Sequence, residues 1–221
     1  MARGSGGLFW VLGAAATAFA VAAVLSGILR WPRDLFLLGY VVIVGPVLYG
    51  YFRVNRVGLW RDARSRWVHG LVGAVLLSAL MAWGVVRQPA SASPEGAKLV
   101  FAILWLGVVY GAVDAALLTV MPVRAAREWW AGLGVRQRGP NRLVEALVAL
   151  GFSLFVTAVY HLGYPEFRGA AVTEPMIGNG LISLGYLATR HPITPVAAHV
   201  AMHVAAVLHG MDTTVQLPPH S

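Results

Sequence analysis

The sequence predicts an all-α fold that crosses a membrane about seven times, and three observations carry that prediction. Hydrophobic residues fill 58% of the 221 positions and charged residues only 12%, against roughly a quarter charged in soluble domains. Uncharged windows close to the roughly 20 residues needed to cross ~30 Å of hydrocarbon recur along the chain. The arginines behind most of the +8 net charge gather in alternate loops, a membrane-orientation signal and not a nucleic-acid-binding surface.

Taken in order, the windows are residues 4–29, 35–52, 67–86, 99–123, 146–165, 175–189 and 191–211. The first is read as a continuous span, because its apolar run exceeds the about 7 to 15 residues of a signal-peptide core. Gly45-Pro46 should bend the second, since proline removes a backbone donor and crowds the preceding turn. A Pro/Ser/Gly connector at 88–97 follows the third. The fourth is interrupted by Asp114, and the loop behind it interleaves Trp129 and Trp130 with Arg124, Arg127, Arg136, Arg138 and Arg142. That pattern suits an amphipathic segment at an anionic membrane surface. Thr173-Glu174-Pro175 and Thr194-Pro195 look like helix starts, each a threonine cap followed by proline, and they leave the last two helices short of a full crossing.

Loop charge sets the expected orientation. Arg53, Arg56, Arg61, Arg64 and Arg66 fall between spans two and three, on the same side as the loop between four and five and as Arg3 and Arg190. The positive-inside rule makes that side, and the amino terminus, cytoplasmic. The chain is expected in a cell (inner or plasma) membrane, with lipids as its first partners and no nucleic acid. Residues 1–97 are read as three largely plain hydrophobic helices, and 98–221 as a core holding nearly all the buried polar groups.

Four of those groups are candidate functional residues: Asp114, His161, His199 and His203. A carboxylate at mid-membrane costs about 2.5 to 3.5 kcal/mol even on the mildest insertion scale, so Asp114 needs a partner, a proton or a metal. His199 and His203 are four apart and project from one helix face. At about 1.5 Å per residue, Asp114, His199 and His203 reach similar depths, whereas His161 falls nearer the opposite face. Without cysteine, only such groups can bind a transition metal tightly. Three histidines and a carboxylate suit zinc, with Asp114 as ligand or general base. The alternatives are structural hydrogen bonding between helices, or haem held by His161 and one of the other two histidines. There is no H-E-x-x-H, no second intramembrane aspartate and no glycine-flanked serine turn, which argues against zincin, two-aspartate and serine mechanisms.

From about Leu99 to Gly210 the chain resembles the CPBP family of CAAX prenyl endopeptidases and bacteriocin-processing membrane proteins. The resemblance lies in the order of a buried acid, the stretch FVTAVYH ending at His161, a Gly-rich short helix, and the run from Tyr186 through His199 to His203. It implies an intramembrane metal-dependent peptidase acting near the inner leaflet, with Asp114, His161, His199 and His203 catalytic and the three histidines as metal ligands. The family's E-E-x-x-x-R is replaced here by a single acid in Val113-Asp114-Ala115, without the arginine, and Thr157 stands where the family has phenylalanine. A catalytically inactive CPBP-like subunit that binds a peptide or membrane-protein partner is the alternative.

Overall fold

A computed structural model of the chain describes residues 5–55, 64, 66–134 and 140–218. Arg3, Arg56, Arg61, Arg136, Arg138, Gly139 and His220 lie outside them. Among the described residues there are seven helices and no strand. They are α1 (Ser5–Val21, extended by wider π turns over Ala22–Ile28), α2 (Arg33–Val54), α3 (Trp67–Val86), α4 (Gly96–Gly132), α5 (Pro140–Leu162), α6 (Thr173–Thr189) and α7 (Ile193–His209).

Helices α1 to α5 are long and apolar enough to span a membrane, whereas α7 is apolar but has only 17 residues. At about 1.5 Å per residue it and the equally long α6 cover roughly 25 Å. Large side chains such as Phe9, Val42, Leu76, Leu104 and Leu147 point outward, as a lipid-facing surface requires. The protein is an all-α polytopic membrane protein.

The helix ends sort into two sets. One end gathers the α2–α3, α4–α5 and α6–α7 junctions. There Arg127 pairs with Glu145 at 2.9 Å, and Arg190 has Arg66, Arg127 and Arg142 as charged neighbours. Partial burial, and then this like charge, lowers the Arg190 pKa from its ordinary value. The other end gathers the α1–α2, α3–α4 and α5–α6 junctions and the carboxyl-terminal segment.

Three local features differ from the sequence reading. The first part of the arginine–tryptophan segment, 124–132, continues α4 with Ala125 and Ala126 buried, while Arg136 and Arg138 lie outside the described residues and Arg142 belongs to α5. Gly7 of α1 lies directly on the Ala125 carbonyl, so close that any side chain there would clash. Thr173 does not cap α6; its hydroxyl donates back to the Ala170 carbonyl at 2.7 Å. Thr194 likewise donates to the Gly70 carbonyl of α3 at 3.1 Å, tying α7 to a neighbour instead of to its own first turn. Pro46 is carried inside α2 without ending it.

The α6–α7 turn fixes how α7 enters the bundle. Arg190 adopts a left-handed conformation (φ 56°) and its N–H closes on the Tyr186 carbonyl at 2.7 Å. Thr189 and Thr194 then bond hydroxyl to hydroxyl at 3.0 Å across the turn, and buried His191 accepts from the Ile193 N–H at 3.2 Å. With α7 held there, Gly107 and Gly111 of α4 meet Val204 and Val200. A Cβ on Gly111 would stand 2.9 Å from the Val200 Cα. Glycines spaced by four let two helix backbones touch in lipid, and Asp114 lies one turn further along the same helix.

Candidate metal centre

The close crossing of α4 on α7 brings Asp114, His199 and His203 together. All three are buried, the carboxylate 4% exposed and each histidine 2%. One ligand atom from each lies within 4.8 Å of the others. Asp114 Oδ1 accepts the Tyr40 hydroxyl of α2 at 3.1 Å. Its Oδ2 faces His199 Nδ1 at 3.5 Å and His203 Nε2 at 3.6 Å.

Surrounding groups fix the state of His199. Its Nε2 is 3.3 Å from Asn179 Oδ1. The Asn179 amide has one orientation available, because its Nδ2 faces the Leu118 carbonyl, which only accepts. Nδ2 also donates to Thr157 Oγ1 at 2.6 Å, while Thr119 donates to Oδ1 at 2.6 Å. His199 Nε2 therefore carries a proton, and in the neutral ring Nδ1 would present its lone pair to the carboxylate oxygen. A lone pair facing a carboxylate oxygen in a dry interior repels unless a proton or a cation lies between them.

His203 is less satisfied still. Both its ring nitrogens and His199 Nδ1 are buried without a hydrogen-bond partner. The ring lies on Tyr110, centroids 4.6 Å apart, and the Gln216 main chain stands beside it. The Tyr110 hydroxyl pairs with Tyr160 at 3.1 Å, and Tyr160 with Tyr164 at 2.6 Å.

One carboxylate oxygen and two imidazole nitrogens form a donor set suited to zinc and other borderline divalent cations. Ligands at about 2.0 to 2.1 Å in a tetrahedron stand roughly 3.4 Å apart, so the two oxygen–nitrogen separations of 3.5 and 3.6 Å match tetrahedral edges. Asn179 plays the part that an outer partner plays at metal histidines, holding the far N–H so that the near nitrogen is free to ligate. The Asp114, His199 and His203 group can hold a metal ion.

His161 stands apart from that group. It lines the same cavity of about 220 Å³, together with Asp114, Asn179, His199 and His203. Its Nδ1 donates to the Thr157 carbonyl at 2.8 Å, which leaves Nε2 as an acceptor. Among the described residues the three-atom cluster excludes it, so the structure divides the four predicted residues into three ligand candidates and one wall residue.

Sequence reasoning did not find Tyr40, which comes from a helix assigned to the plain hydrophobic part, and did not single out Asn179 as a site residue. The signal for Asn179 was its place in the Gly178-Asn179-Gly180 run, and for the crossing it was Gly107-x-x-x-Gly111 just before Asp114. The cavity also runs towards the arginine-poor end, where Gln88, Glu174, Val215 and Gln216 line it, Glu174 and Val215 exposed. Comparison with known proteins finds no matching family model, no similar curated protein and no similar solved structure.

Proposed function

We propose that the chain is a CPBP-like membrane hydrolase, a divalent-cation peptidase with zinc as the leading cation, whose substrate enters from the arginine-poor end. The observation that carries this reading is the convergence of an Asp114 carboxylate oxygen with one imidazole nitrogen from each of His199 and His203, all within 4.8 Å, at a cavity that His161 also lines. A bound cation polarises a carbonyl oxygen and lowers the pKa of water towards neutrality. Asp114, His199 and His203 would hold it. Tyr40 occupies the second carboxylate oxygen and so restricts Asp114 to ligation through Oδ2. His161, with Nδ1 committed to a carbonyl and Nε2 free, is placed to accept a proton from water and return it to the departing amine.

Under the positive-inside rule the arginine end faces the cytoplasm, as does the amino terminus, in the cell membrane. Entry from the other end replaces the inner-leaflet approach expected from sequence, and the cavity lining supports the change.

Metal analysis and an absorption spectrum of the purified protein test the reading. One zinc per chain, lost together with peptide hydrolysis in His199→Ala, is the expected result. A Soret band, or a metal-free protein whose properties His199→Ala leaves unchanged, overturns it. Gly178 lines the cavity with open space at its Cβ, and the chain has no cysteine. In Gly178→Cys, a membrane-impermeant thiol reagent should label from the extracytoplasmic side of oriented membranes; labelling only from the cytoplasmic side contradicts the orientation.

A further inference from the structure

Resting on the cation reading, we propose that Gln216 supplies a fourth ligand and that residues 210–218 form a strap which closes the site until substrate displaces it. After α7 ends at His209 the chain turns back across the arginine-poor end. Its fastenings are short and specific. The Ser91 N–H donates to the His209 carbonyl at 3.1 Å, the Asp212 N–H to Ser91 Oγ at 3.2 Å, and the Val215 N–H to Gln88 Oε1 at 3.1 Å. The Thr213 hydroxyl donates to the Pro89 carbonyl, and Arg33 Nε reaches the Pro218 carbonyl at 3.2 Å. Leu217, 1% exposed, anchors the far end in the core.

Between those fastenings Gln216 lines the cation cavity, and its main chain stands beside His203. The side-chain Oε1 is buried and has no hydrogen-bond partner. An amide oxygen hidden from water with nothing to accept from is destabilising. Three other buried atoms in the same cavity, on His199 and His203, share that condition. One cation can satisfy Gln216 Oε1, His199 Nδ1 and His203 Nε2, while His203 Nδ1, on the other side of its ring, is left to the main chain of Gln216. A carboxamide oxygen is neutral and chemically equivalent to the carbonyl of a peptide bond, so it completes the coordination without added charge and yields its place to a peptide carbonyl. The strap thus acts as an internal surrogate for the substrate, and the substrate class it implies is an extended peptide entering over the α3–α4 connector.

Co2+ binding by the full-length protein tests this, read by its d–d absorption and by the rate at which EDTA strips the ion. Gln216→Ala should shift the absorption, weaken binding on the order of tenfold and speed stripping by a similar factor. Thr213→Ala loosens the strap from a position outside the cavity, so it should speed stripping while leaving the saturated spectrum unchanged. If Co2+ binds the parent protein and neither variant alters spectrum or stripping rate, the strap proposal is overturned while the cation reading stands. If the parent protein binds no Co2+, both fail. Should Gln216→Ala not fold, an unchanged stripping rate in Thr213→Ala alone refutes the gate.

Discussion

Two buried polar clusters lie side by side in this bundle, and they differ in one respect. Around Asn179, every group has a partner: Ser153 bonds the Leu118 carbonyl and, at 2.8 Å, Ser183; Thr157 donates to the Ser153 carbonyl at 2.9 Å; Thr119 donates to the amide. Around His203, three imidazole nitrogens have no hydrogen bond, and two of them face only the Asp114 carboxylate, at 3.5 and 3.6 Å. A closed network is explained by packing alone, whereas the open one lines a cavity with room for a ligand. The first cluster holds α4, α5 and α6 together; the second can hold a cation.

Substitutions separate the two. Asp114→Asn removes the charge and the shared oxygen, and should weaken divalent-cation binding more than about 100-fold in calorimetry, beyond the loss typical of outer-shell changes. Gly111→Leu forces α4 from α7 and should cost about 1 to 3 kcal/mol of unfolding free energy as well as cation binding. Retention of both would show that the glycine crossing does not assemble the site. Asn179→Ala touches both clusters: it should lower cation affinity roughly 10- to 100-fold and also destabilise the fold by orphaning the Thr119 hydroxyl. Ser183→Ala touches only the closed network and should cost about 0.6 kcal/mol, with cation affinity unchanged. A cation effect of Ser183→Ala as large as that of Asn179→Ala would erase the distinction.

Much of the site was legible because burial in lipid makes charge conspicuous. Asp114 stood out in an uncharged window, His199 and His203 stood out by helical spacing, and depth counting from the arginines brought the three to one level. The same counting placed His161 away from them, in keeping with its position on the cavity wall and outside the cluster. Tyr40 was not legible, because a tyrosine in a membrane helix looks like any other amphipathic side chain until its partner is known. Gln216 was hidden for a different reason: it lies beyond the last helix, where hydropathy carries no information about how a chain folds back.

The sequence by itself determined the class of the molecule, the number of its helices, and which ionisable groups had to find partners. These follow from the cost of exposing charge and backbone to hydrocarbon, which is paid residue by residue and can be read that way. Only the tertiary structure decided that Asn179 orients His199, that Tyr40 reaches Asp114, and that the cavity opens at the arginine-poor end. Each of those is a contact between helices distant in the chain, set by where backbones approach closely, and Gly107 with Gly111 fixes that approach through packing that no single helix contains.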